Sequence, residues 1–124
     1  MPFDFSIHKH LDIVVVTARR STTLEEIMAV MQESIKLQRG AGYSRRLLDL
    51  THIKFSFTIN EGRLILRQLQ VMIDALNAQK VAILFKEIHS AYVLEKLMTL
   101  PEFTGQDIGI FVNKDDALKF LKDI

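Results

Sequence analysis

Short apolar runs alternate along the chain with longer segments in which apolar residues recur every three or four positions. The first pattern is typical of β-strands, and the second is typical of helices that bury one face. In chain order, the pattern predicts strands at Phe3–His8 and Ile13–Thr17, a helix from Leu24 that ends before Gly40, a strand at Arg46–Leu50, a helix at Glu61–Leu76, a strand at Val81–Phe85, a helix at Ile88–Leu100, a strand at Ile108–Val112 and a helix after Asn113.

The order of these elements predicts an α/β fold. Only the turn signal of Lys9 to Asp12 separates the first two strands, which predicts a hairpin, and each later strand follows a helix, which makes the later strands parallel. The run from Val81 to Phe85 is apolar throughout, so it requires cover on both faces of the sheet. We predict one mixed, mostly parallel sheet of about five strands with four helices, in a single domain spanning residues 1–124.

Composition narrows the class of protein. The chain has 124 residues and no cysteine, which excludes disulfides, thiolate metal sites and cysteine nucleophiles. Sixteen Lys and Arg residues stand against fifteen Asp and Glu residues without blocks of one sign, so we do not expect a nucleic-acid partner. No apolar run approaches the ~20 residues of a membrane helix, and no signal peptide is recognisable. We therefore expect a cytoplasmic protein without a membrane span.

Two hydroxyl-bearing segments precede predicted helices. Thr58-Ile59-Asn60-Glu61 has the form of a capping box, in which the hydroxyl accepts a hydrogen bond from a free amide of the first turn and the acid reaches back to the cap. Thr22-Thr23-Leu24-Glu25 has the same form before the first helix. Both segments predict helix N-caps.

The segment LDLTHIKFSFTIN, residues 48–60, resembles the strand, loop and helix start of STAS domains, whose bacterial members include the sporulation anti-sigma-factor antagonists. The order of elements agrees with that family along nearly the whole chain. Residues 21–26 and 117–121 also resemble a group of small bacterial proteins related to those antagonists. The resemblance implies a non-catalytic domain that acts by binding a protein partner.

In the antagonists, an Asp-Ser-x-Gly motif places a phosphorylated serine at the helix start. The matching positions here are Phe57-Thr58-Ile59-Asn60, which retain the hydroxyl and lack both the acidic neighbour and the glycine. We therefore expect Thr58, the phosphoacceptor-equivalent position, to serve as a helix cap without the usual phosphoserine switch. The surrounding residues form a possible interaction or ligand loop: Asp49, Thr51, His52, Ser56 and Phe57.

His89 and Tyr92 lie one helical turn apart, near the carboxyl end of a predicted strand, where open α/β sheets tend to bind ligands. A packed aromatic pair accounts for them more simply than a ligand site. Asp49 ends its strand and could act as a general base, although an aspartate in that position commonly bonds the amides of the next loop.

Two further pairs of side chains could form a binding site or could simply lie on the solvent-exposed surface. His8 and His10 could share a metal, although a solvated hairpin tip is the simpler interpretation. Arg63 and Arg67 share a helix face and could clamp an anion, but no glycine-rich phosphate loop accompanies them. The sequence predicts no catalytic set, no metal site and no cofactor.

Three functions remain in competition. The first is a STAS-like protein-interaction or regulatory module, and the second is a carrier of a small apolar ligand or lipid. An enzyme using Asp49 or His89 comes last. We also predict a homodimer that buries the face of the first strand carrying Phe3, Phe5 and Ile7, because apolar edge strands are templates for pairing.

Overall fold

The computed structural model describes residues 3–8, 12–19, 23–38, 45–53, 56–76, 80–103, 105 and 107–122. Its elements are β1 (Phe3–His8), β2 (Ile13–Ala18), α1 (Leu24–Gln38), β3 (Arg45–Asp49), α2 (Ile59–Leu76), β4 (Lys80–Leu84), α3 (Ile88–Leu97), β5 (Ile108–Phe111) and α4 (Lys114–Lys122). The predicted α/β class, with one mixed sheet of five strands and four helices, is confirmed.

The five strands lie in the order β1-β2-β3-β4-β5. The pair β1 and β2 is antiparallel, and the three later pairs are parallel. Crossovers between parallel strands are right-handed in nearly all proteins, so three crossovers that step in the same direction carry their helices to the same face. Accordingly α1, α2 and α3 share one large core with alternate strand residues.

Helix α4 follows the last strand and is therefore free of this constraint. It packs on the opposite face, where Ala117 and Leu121 meet Leu47, Ala82 and Leu84. The two clusters together enclose β4, which explains why this strand is apolar at successive positions. None of the helices in the described part of the chain combines the length and apolar character that crossing a bilayer requires.

Strand β1 is at the edge of the sheet, as the predicted hairpin requires. Ile7 pairs with Val14, so it lies on the face covered by α1 to α3, and its side chain is 39% exposed. The side chains of Phe3 and Phe5 lie outside the described part of the chain. An ion pair between Arg19 and Asp4 ties the two strands of the hairpin together.

Several boundaries differ from those predicted by a few residues. Strand β3 ends before Leu50, whose amide nevertheless donates to the Leu84 carbonyl oxygen at 2.8 Å and extends the pairing beyond the strand. Helix α3 ends at Leu97, three residues earlier than predicted, because the amides of Thr99 and Leu100 bond carbonyl oxygens only three residues back.

The cap of α1 also lies one residue later than predicted. The Glu26 amide donates to Thr23 Oγ1 at 3.2 Å, and Thr23 Oγ1 lies 3.1 Å from Glu26 Oε1. Thr22 lies outside the described residues. The sequence Thr-Thr-Leu-Glu-Glu offers two overlapping capping boxes, and the structure uses the second.

One buried residue was not anticipated. Arg46 is 1% exposed and lies on the face of β3 that α1, α2 and α3 cover. Its Nη1 lies 2.8 Å from Met72 Sδ. Burial lowers the pKa of its guanidinium to about 10, because desolvation disfavours the charged form.

Candidate functional site

The carboxyl ends of β3 and β4 meet at one edge of the sheet, and the loops that follow lead into α2 and α3. The first loop turns immediately after β3. Asp49 Oδ1 accepts from the Thr51 amide at 2.9 Å and from the Thr51 hydroxyl at 2.6 Å. Asp49 therefore stabilises the local turn, which is the structural alternative considered for it from the sequence.

A reciprocal capping box begins α2. The Glu61 amide donates to Thr58 Oγ1 at 3.2 Å, and the Thr58 amide donates to Glu61 Oε1 at 2.9 Å. These two bonds satisfy donors that have no partner within the helix. Thr58 thus has a structural role at this helix start.

We expect Thr58→Ala to lower the free energy of unfolding by ~1 kcal/mol, within the range of 0.5–2 kcal/mol for lost caps. Thr58→Ser and Thr58→Asp should retain much of the stability, because both side chains offer an oxygen to the Glu61 amide. Urea unfolding of the three variants measures the order. Equal stability of the alanine and serine variants would contradict the capping role.

Glu87 caps α3 and joins it to the loop before α2. Its carboxylate accepts from the His89 amide at 2.9 Å and from the Ser90 amide at 2.8 Å. Ser56 Oγ also donates to it at 3.2 Å, and the Phe57 amide donates to Ser90 Oγ at 3.0 Å. Glutamate is not a preferred N-cap, so this network could not be predicted from the residue type alone.

The bonds to the His89 and Ser90 amides lower the pKa of Glu87 below its ordinary value of 4.5, because they favour the ionised form. A depressed folded-state pKa contributes stability above the unfolded-state pKa and loses it as the pH falls through the folded value. We therefore expect the difference in Tm between the wild type and Glu87→Gln to be largest near neutral pH and to shrink below pH 4.5.

Glu95→Gln is the matched control for this titration, since Glu95 lies on the same helix beyond its first turn. This substitution removes a carboxylate from the same helix and leaves the bonds of Glu87 to the His89 and Ser90 amides in place. A Glu87→Gln difference that is the same at neutral and strongly acidic pH would contradict the capping interpretation.

An open groove lies between the first two turns of α2 and helix α3, and it runs along α3 from His89 to Leu97. Its volume is about 540 Å³. The residues that line it are mostly apolar: Phe57, Thr58, Ile59, Arg63, His89, Tyr92, Val93, Lys96, Leu97 and Leu100. The groove thus brings Phe57 and Thr58, at the end of the loop after β3, next to residues of α3 that lie more than thirty positions later in the sequence.

Buried apolar side chains support this groove. Phe57 is 1% exposed and packs edge-on against Phe85, with ring centroids 5.7 Å apart. Gly62 brings the α2 backbone close to α3, because a Cβ at this position would lie 2.8 Å from Leu97 Cδ1 and 3.1 Å from Leu94 Cδ2. Both features fix the position of α3 relative to α2.

The polar part of the lining is basic. It contains Arg63, His89 and Lys96, and none of the lining residues is acidic. Arg63 Nε is buried and makes no hydrogen bond among the described residues. Lys96 Nζ lies 5.3 Å from the centroid of the Tyr92 ring, within the range of a cation–π interaction.

The structure separates the candidate residues into two groups. Phe57, Thr58, His89 and Tyr92 line the groove, whereas Asp49, Thr51, His52 and Ser56 do not. The expectation of a packed aromatic pair is wrong: Tyr92 is 54% exposed and His89 is also exposed, because the buried side of α3 is formed by other residues. His52 is exposed as well.

The structure describes three of the four residues in the arginine pair and the histidine pair considered from the sequence. Arg63 lines the groove, while Arg67 Nη2 lies 3.4 Å from Glu102 Oε2. His8 is exposed on β1, and His10 lies outside the described residues. Within the described ranges, no three His, Asp or Glu side chains are grouped as metal ligands would be.

No protein-family model matches the chain, and no curated protein sequence matches it with statistical significance. Among solved structures, the chain is similar to the NMR structure of the protein TM1081, with a TM-score of 0.57 and 15% sequence identity. The similarity covers 98% of this chain and 90% of that one. At this identity the likeness supports the fold, and the chain shares its α/β architecture with TM1081.

Proposed function

We propose that the protein is a cytoplasmic, non-catalytic STAS-like interaction module whose partner binds the rim of the groove. The observation that carries this proposal is a concentration of exposed apolar side chains where α2 and α3 begin. Ile59 is 61% exposed, Tyr92 is 54% exposed, and Ile88, which precedes His89, is 72% exposed. Such grouped apolar exposure is typical of interaction surfaces.

The hydrogen bonds at this end of the sheet favour a binding role over catalysis. The carboxylates of Asp49 and Glu87 and the hydroxyls of Thr58 and Ser90 all bond backbone amides of the adjoining turn or helices. These groups therefore stabilise the loops and helix starts that support the rim. Because Thr58 lacks the acidic neighbour of the antagonists' motif, we propose that it is unmodified in cells and that partner binding tolerates Thr58→Ser.

Site-specific photo-crosslinking tests this function. A photoreactive phenylalanine analogue placed at Tyr92 should capture a defined partner in cells, and the purified partner should then bind the purified protein. The matched control is the same analogue at Val71, which is 57% exposed on α2 outside the groove. Capture of no partner from position 92, or equal capture from position 71, would count against the proposal. Phosphopeptide mapping of the same protein tests Thr58.

The groove itself favours a second candidate function, a carrier of a small apolar ligand. Its volume of about 540 Å³ falls within the 300–1,000 Å³ usual for small-molecule sites, and its walls are mostly apolar. Native mass spectrometry of protein purified from cells should detect a bound small molecule. Absence of any such molecule, together with no stabilisation by a panel of lipids, would remove this candidate.

We also propose a homodimer that buries the apolar face of β1, on which the alternating pattern places Phe3, Phe5 and Ile7. Among the described strands, β1 pairs only with β2, and Ile7 is partly exposed on its apolar face. Unpaired edges can add a strand from a second copy. Sedimentation at high micromolar concentration should detect a dimer, and a monomer under those conditions would contradict this proposal.

A further inference from the structure

We infer that the groove between α2 and α3 binds a single-chain anionic amphiphile, such as a long-chain carboxylate. The apolar chain would lie against Phe57, Val93 and Leu97, and the anionic head would pair with Arg63 and Lys96. This inference rests on the ligand-carrier candidate and specifies its ligand class.

The first argument is the division of the lining into an apolar part and a basic part. Phe57, Val93 and Leu97 are buried or nearly so, and Leu100 extends the same surface. An uncharged lipid could bind through contacts with these apolar side chains alone. The cations on the walls are therefore the feature that distinguishes among apolar ligands.

The second argument is the absence of an internal counter-ion for those cations among the described groove residues. The lining has basic side chains and no acid, and Arg63 Nε is buried without a hydrogen bond. A ligand carboxylate would supply these cations with the counter-ion that the lining lacks. One helical turn further along α2, Arg67 has such a partner in Glu102.

The two acids at the starts of α2 and α3 are already engaged. The Glu61 carboxylate accepts from the Thr58 amide, and the Glu87 carboxylate accepts from the His89 and Ser90 amides. Both acids therefore bond the starts of the helices. The charge of the groove lining itself favours an anion.

The third argument is size. The volume of the groove, about 540 Å³, is within the 300–1,000 Å³ usual for small-molecule sites. The groove thus suits a small amphiphile, while a protein partner would contact the exposed rim.

Three probes of equal chain length separate the possibilities. Myristate, tetradecanol and tetradecyltrimethylammonium carry negative, neutral and positive heads, and each competes with a fluorescent fatty-acid analogue for the purified protein below its micelle concentration. We expect myristate to bind ~10-fold or more tightly than tetradecanol, since one charge-assisted contact commonly contributes that difference. The cationic probe should bind most weakly.

Variants locate the head group. Arg63→Gln combined with Lys96→Gln should reduce the ~10-fold preference for myristate over tetradecanol to about one. Arg67→Gln is the matched control and should keep the preference, because Arg67 pairs with Glu102 outside the groove. Arg63→Lys should retain part of the preference, and circular dichroism establishes that each variant is folded.

The outcomes distinguish this inference from the function on which it rests. Equal binding of myristate and tetradecanol would leave the carrier function standing and overturn the anionic preference. Binding of none of the three probes would overturn both. A preference for myristate that survives the double substitution would refute the assignment of the head group to Arg63 and Lys96.

Discussion

Phe57→Ala is expected to lower the free energy of unfolding by ~3–5 kcal/mol, the usual range for truncating a buried phenylalanine. The ring is 1% exposed and packs edge-on against Phe85, so its removal leaves a cavity and an unpartnered aromatic edge. Typical domains have only 5–15 kcal/mol of total stability, so this change should be conspicuous in urea unfolding.

Phe57→Leu provides the matched control. Leucine keeps most of the apolar volume and loses the aromatic contact, so the leucine variant should lie between the wild type and the alanine variant. An alanine variant within 1 kcal/mol of the wild type would be far below the range for a buried ring and would contradict its place in the core.

Gly62→Val is expected to destabilise the protein by ~1–3 kcal/mol through overpacking. A Cβ at Gly62 would approach Leu97 Cδ1 at 2.8 Å and Val93 Cγ1 at 3.2 Å, and valine adds two methyl groups beyond it. The side chains of Leu97 and Val93, which line the groove, must then shift, and this changes the shape of the groove. Thermal unfolding measures the stability change.

Gly62→Ala separates the two contributions. Alanine gains ~1 kcal/mol of helix propensity over glycine and inserts only the Cβ, so its net effect should be smaller than that of valine. If valine were tolerated as well as alanine, the close approach of the α2 backbone to α3 would not limit packing at this position.

Local patterns were sufficient for most of the fold. The strict alternation of β1, the apolar run that follows Lys80 in β4 and the helical spacing of α2 each follow from which faces are buried, and the structure has these elements within a few residues of their predicted bounds. The order of strands and helices then determines which neighbours are parallel. Where two patterns overlapped, as at Thr22 and Thr23, the sequence alone could not choose the helix cap.

The site was harder to predict because its parts are distant in the chain. Thr58 and Asp49 were identified because their partners are within three residues. The groove depends instead on the packing of α3 beside α2, which leaves Tyr92 exposed and places Arg63 on the wall. No spacing rule relates those two positions.

The match between strand order and chain order bears on how the domain folds during synthesis. Each strand pairs with its predecessor across one turn or one helix, so a chain emerging amino-terminus first can extend the sheet by one strand at a time. Until α4 is released, however, Leu47, Ala82 and Leu84 have no helix on their face. A nascent intermediate that lacks α4 therefore leaves this apolar face uncovered, which is a hazard for aggregation.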